Sequence, residues 1–286
     1  MKNSTLKNIA ELNFSIILIS SAAAFVRYIE LGPEILAFWR GLIAFVVLGM
    51  LMLFKKESFR IPNKKDRITL FISSVFFALH WVTYFYALQI SSIAIGMLSL
   101  FTFPAITAII EPLYFKTKFN IRHLILALIV LLGLYIMAPE INFSNDSTKG
   151  VIIGVLSGLF FSLRNLTMKS NTQKYPSSLL MFYQFLFIGI VFTPFIFIHD
   201  TINTTKFLPY ILCLGILTTA IGHTVFVKSL KNFNVSTASI MASAQPVFGI
   251  ILGIIFLNEY PSINTILGGG IIISTVVIES LNFKKK

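Results

Sequence analysis

Polar and ionisable side chains inside long apolar segments are the residues of this sequence best placed to do chemistry. His80, Trp81 and Tyr84 form one such group, in which His80 and Tyr84 share a helix face through their i, i+4 spacing. At a rise of about 1.5 Å per residue, His80 lies roughly 18 Å into its segment, near the middle of a bilayer. The group has two interpretations: the lining of a binding cavity, or an interhelical hydrogen bond that holds a helix bundle together.

Arg40, His223 and Gln245 are three further candidates for the same site. Arg40 lies about 9 Å below a membrane surface by helix rise, so its guanidinium either reaches outward to water or attracts an anionic group such as a carboxylate. His223 either lines the cavity or bonds a neighbouring carbonyl, and Gln245 lies near mid-depth. Arg164 and Glu111 lie closer to the ends of their segments, and we expect both side chains to reach the surface.

Two prolines interrupt apolar segments at similar depth. Pro104 and Pro246 each remove a backbone donor and displace the carbonyl four residues earlier, on Leu100 and Ala242. Free carbonyls at membrane depth are tolerated only inside protein or beside a water-filled cavity. The prolines therefore predict two kinked helices that face each other across a central cavity, with simple packing kinks as the alternative.

Several kinds of chemistry are excluded by what the sequence lacks. No aspartate falls inside an apolar segment and the glutamates lie in loops or near segment ends, so a midplane carboxylate relay is missing. No G-x-x-x-x-G-K-[ST], H-E-x-x-H or G-x-S-x-G motif occurs. The single cysteine, Cys213, forms neither a disulfide framework nor a cysteine metal site. We expect no catalytic residue, no metal, no cofactor and no enzymatic activity.

The elements that position these residues are membrane-spanning helices. Of the 286 residues, 56% are hydrophobic and only 12% are charged, against roughly 25% charged residues in soluble domains. A spanning helix needs about 20 mostly apolar residues. The sequence predicts ten such helices, at 12–29, 34–54, 68–88, 91–115, 121–138, 150–170, 178–198, 208–228, 235–257 and 263–281.

The basic residues predict the orientation of these ten helices. With the N-terminus in the cytoplasm, 19 of the 23 lysines and arginines fall in cytoplasmic segments and three in outer segments. This bias agrees with the positive-inside rule. We therefore predict a multi-pass protein of the inner membrane whose two termini both lie in the cytoplasm. Since topology accounts for the net charge of +12, we expect no nucleic-acid partner.

The ten helices divide into two repeats. A shift of 142 residues aligns His80–Pro104 with Gly222–Pro246 without a gap, and His223 then takes the place of Trp81. With five helices in each half, the two halves must lie in opposite orientations, an arrangement that recurs in secondary transporters. We predict a first repeat at 1–141, a linker at 142–149 and a second repeat at 150–286.

Local motifs carry a family resemblance across the whole chain. The second half contains a small-residue stretch ending in Gly222-His223, then Ser239 to Gly249 around Pro246, and then Leu257-Asn258-Glu259 before a last span with three successive glycines. This pattern resembles the EamA family of the drug/metabolite transporter superfamily. Arg40, in Phe38-Trp39-Arg40-Gly41, is similar to the arginine common in the second span of that family. In the first half, Thr117 stands where a counterpart of Glu259 is expected.

The resemblance implies ten helices, two inverted repeats and a secondary transporter that exports or exchanges amino acids or related metabolites by alternating access. Its expected partners are a small-molecule substrate and the lipid bilayer. The oligomeric state is either a monomer or a homodimer. One alternative is an intramembrane enzyme acting on lipid or isoprenoid substrates, which usually needs acidic metal-binding clusters that this sequence lacks. A second alternative is a membrane subunit or sensor, which often carries a soluble domain that this chain has no room for.

Overall fold

Helices form the regular structure of the computed structural model, which describes residues 2–22, 25, 28–29, 31–91, 93–137, 145–198, 204–257 and 261–284. No strand occurs within these ranges. The first eight helices are α1 (Lys2–Ser20), α2 (Pro33–Phe54), α3 (Lys64–Ile90), α4 (Ile93–Leu100), α5 (Phe103–Phe115), α6 (Ile121–Met137), α7 (Asn145–Thr172) and α8 (Ser177–Phe192). The others are α9 (Phe195–Ile198), α10 (Leu208–Cys213), the π-helical α11 (Leu214–His223), α12 (Thr224–Ser229), α13 (Val235–Ala242), α14 (Gln245–Leu257) and α15 (Ile263–Lys284).

Eight helical stretches within the described residues are long and apolar enough to cross a membrane, and α6 is a shorter apolar helix. The eight stretches are 33–54, 64–90, 96–115, 148–172, 177–198, 208–229, 235–252 and 263–282. The first predicted span, 12–29, only partly overlaps α1, which begins ten residues earlier, at Lys2, and ends at Ser20. The chain is therefore an all-helical, multi-pass membrane protein, and the count of ten spans stays a prediction.

Two of the spans are discontinuous. The chain leaves helical geometry after α4 and enters α5 with Pro104 in its first turn, where the missing N–H costs no helical hydrogen bond. The same pattern separates α13 from α14, which begins Gln245-Pro246. Each bound of α13 and α14 lies 142 residues after the matching bound of α4 and α5. Both prolines thus begin a second half-helix, so the segments predicted to be kinked are broken.

Close helix contacts bring residues of distant sequence segments together in the core. Helix α7 packs along α3 and α4, and α2 packs against α8 and α11. Gly154 lies against Ser99, and a methyl group on Gly158 would meet the Leu100 carbonyl oxygen at 2.9 Å. The carbonyl of Leu100, which Pro104 leaves without its helical donor, is thus covered by the backbone of α7. Small residues on α7 make this approach possible.

Candidate functional site

Arg40 lies on α2 inside the bundle, with only 8% of its surface exposed. Its Nε donates to the Thr219 hydroxyl at 3.0 Å, and its guanidinium carbon lies 4.9 Å from the centre of the Trp81 ring. A guanidinium over an indole face is a favourable cation–π arrangement. Of the two alternatives for Arg40, the structure does not show a guanidinium that reaches outward to water, because the side chain turns towards α3 and α11.

Thr219 belongs to the π-helical segment α11, whose wider turns change which side chains face Arg40. The Thr219 hydroxyl also donates to the carbonyl of Leu214, five residues earlier, at 3.1 Å. Its oxygen is thus fixed as an acceptor for Arg40. No proline or other sequence signal announces this segment, so the partner of Arg40 was not predictable from the sequence.

His80 lies on α3 and bonds Ser157 on α7. Its Nδ1 is 2.8 Å from the Ser157 hydroxyl oxygen, and that hydroxyl donates to the His80 carbonyl at 2.9 Å. Because the one hydroxyl hydrogen is used by the carbonyl, Nδ1 must be the donor and Nε2 keeps a lone pair. The ring also packs against Phe161 and Tyr84, at 4.7 and 6.1 Å between centroids. The interhelical bond is present, and the cavity-lining role stays a prediction.

His223 ends α11 and lies 5.6 Å from the Phe77 ring centroid. Its Nδ1 is buried and has no hydrogen-bond partner within the described residues. The Phe77 ring also lies beside His80, at 6.3 Å between centroids, and beside the Arg164 guanidinium, so these residues share one neighbour with His223. A buried polar atom without a partner costs about 1–3 kcal/mol, so this nitrogen is a place where a ligand could form a favourable bond.

Arg164 on α7 completes this group of residues, although the sequence placed it at a helix end. Its side chain is fully buried, and its Nη2 and Nε donate to the Gln184 amide oxygen at 2.6 and 3.1 Å. The guanidinium carbon lies 4.4 Å from the Phe77 ring centre. The expectation that Arg164 reaches the surface is wrong because α7 continues to Thr172, about two turns further.

We define the central layer as Arg40, His80, Trp81, Tyr84, Arg164 and His223. Neither of its guanidinium groups contacts a carboxylate within the described part of the chain. The six acidic side chains described there all bind elsewhere: Glu11 to Lys228, Glu34 to Gln89, Glu57 to Ser178, Asp66 to Lys174, Glu111 to the start of α13, and Glu279 to His123. Charges inside a membrane protein usually face a partner or a pathway. The central layer is therefore electropositive and suited to an anionic group.

Comparison with known proteins identifies the family. The profile of the EamA-like transporter family matches residues 12–138 and 148–281. The chain belongs to the EamA-like transporter family. This EamA-like protein is 23% identical over 269 residues to an uncharacterized transporter of Archaeoglobus fulgidus, and the aligned region covers 94% of each chain. The family resemblance seen in the sequence is thus confirmed, and with it the drug/metabolite transporter superfamily and a transport function.

Other relatives of this transporter carry more specific names. An S-adenosylmethionine uptake transporter of Rickettsia felis is 31% identical over 121 residues, or 40% of each chain. Solute carrier family 35 member G1 of Mus musculus is 25% identical over 272 residues, covering 89% of this chain and 73% of its own. A solved crystal structure superposes with a TM-score of 0.86 at 16% identity and covers 98% of both chains. At that identity the likeness shows a shared fold.

The remaining predicted site residues of this EamA-like transporter lie on other helices. Gln245 begins α14, is partly buried and makes no side-chain hydrogen bond within the described residues, while Pro246 and Pro104 are buried. Helix α5 packs against α6, α7 and α13, whereas α14 packs against α1 and α15. The meeting of the two prolines at one cavity stays a prediction. Glu259 lies outside the described residues.

A second polar cluster of the transporter surrounds the first turn of α13. The carboxylate of Glu111, on α5, accepts the backbone N–H groups of Val235 at 2.5 Å and Ser236 at 2.8 Å. Lys169 on α7 donates to the backbone carbonyl of Phe233 at 2.7 Å. Glu111 is only 8% exposed, so the expectation that it reaches the surface is wrong. The N–H groups at a helix start are good ligands for a carboxylate, and they explain why Glu111 tolerates burial.

Glu279 on α15 holds the same turn from another side. It accepts the Thr237 hydroxyl at 2.6 Å, and His123 and Arg122 on α6 approach it at 3.2 and 3.4 Å. Together, Glu111 and Glu279 tie the start of α13 to α5, α6 and α15. We call Glu111, Lys169, Thr237 and Glu279 the α13 latch.

Proposed function

We propose that this EamA-like protein is a secondary transporter that exports or exchanges small carboxylate-bearing metabolites, amino acids or related compounds, across the inner membrane. The observation that carries the proposal is Arg40, a membrane-buried guanidinium that is stacked on Trp81 and has no carboxylate among the described residues. A substrate carboxylate supplies the missing partner. S-adenosylmethionine, the compound named for the Rickettsia relatives, is an amino-acid derivative, which agrees with this substrate class.

Each residue of the central layer has a role in this proposal. Arg40 binds the substrate carboxylate, because its Nη groups form the planar fork that matches two carboxylate oxygens. The Nε bond to Thr219 and the Trp81 ring fix the orientation of that fork. The free lone pair on His80 Nε2 accepts from a substrate donor, and Tyr84, beside His80, adds an aromatic wall. Arg164 makes the surrounding potential more positive.

Alternating access is the mechanism that we propose for this site. It rests on ten spans in two inverted repeats, residues 1–141 and 150–286, joined by a linker at 142–149. The identical 142-residue spacing between the broken helices of the two halves supports this arrangement. Substrate binding near the midplane between inverted halves is a recurrent arrangement in transporters. The α13 latch, which joins helices of both halves, would then open when the site faces the cytoplasm.

The proposed topology predicts where reporter fusions are active. Fusions near Lys64, Lys174 and the C-terminus are expected to report a cytoplasmic position, since basic residues are concentrated there. Fusions near Asp146 and Asp200 are expected to report an outer position. Paired alkaline phosphatase and fluorescent-protein fusions at each point measure both outcomes. A C-terminus on the outer side would contradict both the ten spans and the inverted repeat.

The absence of a midplane carboxylate from the sequence predicts weak coupling to protons. We expect transport to be facilitative, or linked to protons only through His80 or His223, because imidazole is the side chain that titrates near neutral pH. The measurement is uptake into proteoliposomes with and without an imposed pH gradient, for the wild type and for a His80→Gln, His223→Gln double variant. Strong proton-driven accumulation by the double variant would contradict this expectation.

The proposed function itself is tested with a defined mixture of metabolites. Proteoliposomes are loaded with amino acids, organic acids and uncharged sugars of similar size, and mass spectrometry follows what is lost over time. We expect loss of a carboxylate-bearing compound from wild-type vesicles and at least about tenfold slower loss from vesicles that carry Arg40→Gln. Loss of the sugars alone would refute the proposal.

A further inference from the structure

A groove on the side of the bundle lies between α3 and α8, close to the 55–63 segment that connects α2 to α3. It has a volume of about 620 Å³, and its lining includes Arg60, Arg67, Phe71, Tyr183, Phe187 and Ile190. Tyr183 donates to the Phe59 carbonyl at 2.7 Å, which holds the connecting segment over one end of the groove. The groove is separate from the proposed substrate site, because none of its lining residues belongs to the central layer.

Two free cations lie at one end of the groove. Arg60 and Arg67 are exposed, and among the described residues neither guanidinium has an ion pair or a side-chain hydrogen bond. The neighbouring acidic residue, Asp66, already has partners, because its carboxylate accepts hydrogen bonds from Lys174 at 2.7 Å and from Tyr175 at 2.9 Å. This end of the groove therefore has an uncompensated positive charge that suits a phosphate.

The same end lies at a membrane surface. Arg67 is in the first turn of α3, which begins at Lys64, and α8 begins nearby at Ser177. Lys64 and Lys65 are exposed at the same helix start. The charged residues Lys64 to Arg67 at the start of this spanning helix mark the level of the lipid headgroups. A ligand bound by Arg60 and Arg67 is therefore at headgroup depth.

The rest of the groove is apolar and open to the bilayer. Phe71 and Ile190 are 57% and 62% exposed, and Phe71 meets Phe187 edge to face at 5.5 Å between centroids. Ile190 lies about 20 Å along α8 from its start, well inside a hydrocarbon layer about 30 Å thick. A molecule that fills the groove must therefore carry an apolar chain below its anionic head.

We propose that this groove binds an anionic glycerophospholipid from the proposed cytoplasmic leaflet. The phosphate lies between Arg60 and Arg67, and an acyl chain follows Phe71, Phe187 and Ile190. Basic pockets between membrane helices bind anionic headgroups in this way. A zwitterionic headgroup fits less well, because its ammonium would meet two guanidinium groups and no free carboxylate. Bound lipid bridges α3 and α8, and α3 carries His80 and Trp81, so the lipid stabilises the scaffold of the central layer.

The test uses purified full-length protein that has been depleted of lipid in detergent. Phosphatidylglycerol, phosphatidylcholine of the same chain length and inorganic phosphate are added separately, and thermal unfolding and retained lipid by native mass spectrometry are measured. We expect phosphatidylglycerol alone to raise the unfolding temperature by several degrees and to stay bound. An equal effect of phosphatidylcholine would refute the headgroup selectivity, and an equal effect of phosphate would refute a lipid ligand.

Variants locate the site on the protein. The Arg60→Gln, Arg67→Gln double variant is expected to weaken phosphatidylglycerol retention by at least about tenfold, since each basic residue near an anionic headgroup contributes about 1 kcal/mol. The matched control, Lys64→Gln with Lys65→Gln, removes the same charge beside the groove and is expected to retain the lipid. Ile190→Trp fills the apolar part without changing charge and is expected to weaken retention as well. Equal loss in the lysine control, or full retention in Ile190→Trp, would overturn the proposal.

Discussion

Replacing Arg40 with glutamine is expected to reduce transport by about 10- to 100-fold while the protein still inserts and folds. Hydrogen bonds to a charged group contribute about 1.5–3 kcal/mol, which corresponds to that range. Glutamine can still donate to Thr219, the acceptor that lies 3.0 Å from Arg40 Nε. Folding is preserved because the substitution removes a buried charge that has no carboxylate among the described residues, and such a charge is costly to bury.

The measurement that separates binding from folding is the change in thermal stability with substrate. A ligand at about 100 times its Kd stabilises the folded state by about 2.7 kcal/mol, so the wild type is expected to unfold at a higher temperature when its substrate is present. Arg40→Gln is expected to lose this shift and to unfold without substrate at a temperature close to that of the wild type. A full substrate shift in Arg40→Gln would show that Arg40 does not bind the carboxylate.

Two further variants control for charge and for orientation. Arg40→Lys keeps the positive charge and loses both the planar fork and its stacking on Trp81, so an intermediate loss of transport is expected. Thr219→Val removes the acceptor that orients Arg40 and keeps the guanidinium, so we expect a smaller loss than in Arg40→Gln. An effect of Thr219→Val as large as that of Arg40→Gln would mean that the π-helical contact, and not the charge, is what transport requires.

Much of the scaffold was predictable because its causes are local in sequence. Continuous apolar runs bounded by charges or turns predicted the helices from α2 onward to within a few residues. A charged side chain is costly to bury in lipid, so charges lie at the ends of the apolar runs and mark where the spanning helices end. The helix breaks before Pro104 and Pro246 were predictable for the same reason, because a proline alters the backbone of its own segment. Helix rise placed His80 near mid-depth and Arg40 about 9 Å below a membrane surface, and both side chains are buried in the structure.

The partners of these residues were not predictable, because they depend on which helices pack together. Arg164 was expected at the surface, and it is buried because Gln184, on the next long helix, supplies the acceptor that replaces water. Ser157, which bonds His80, is a small polar residue of α7 that the sequence did not indicate as a site residue. The pattern of residue types along one helix indicates the depth of a residue and the helix face on which it lies. Predicting these bonds also requires knowing how two packed helices are rotated relative to each other.

Glu111 shows the same limit for an acidic residue. It lies near the end of α5, where a surface position is the ordinary expectation, and it is buried because the free N–H groups of α13 lie 124 and 125 residues further along the chain. No residue near Glu111 indicates this contact. The contact between this carboxylate and the start of α13 can be weakened by one substitution that keeps the side-chain volume and creates no cavity. Such a substitution tests whether the contact matters for function.

Glu111→Gln is expected to open the end of the bundle that we propose faces the cytoplasm. The glutamine is similar in size but uncharged, and its amide nitrogen cannot accept from a backbone N–H, so one of the two bonds to α13 is lost. Loss of such a cap costs about 0.5–2 kcal/mol, which moves an open–closed equilibrium by roughly 2- to 30-fold. Glu279 still holds Thr237, so the helix is loosened and remains folded.

The opening can be measured by the labelling of a cysteine placed on α13 behind the α13 latch. Ser239 is fully buried on α13, one turn beyond the capped residues, and Ser239→Cys is made in a Cys213→Ser background because Cys213 is exposed. A membrane-impermeant thiol reagent is added to inside-out vesicles, which present the proposed cytoplasmic end. Labelling is expected to be slow with Glu111 and several-fold faster with Glu111→Gln.

The control is Glu11→Gln, which breaks the partly exposed ion pair between Glu11 and Lys228 and leaves Glu111 bonded to α13. Because exposed pairs contribute little, this variant is expected to label as slowly as the parent protein. Equal labelling in Glu111→Gln and the parent would mean that the carboxylate cap does not hold this end closed. Faster labelling only from the opposite side would mean that the latch closes the outer end, which would also reverse the proposed topology. Faster labelling from the cytoplasmic side would identify Glu111 as the contact that must break before the central layer can open to that compartment.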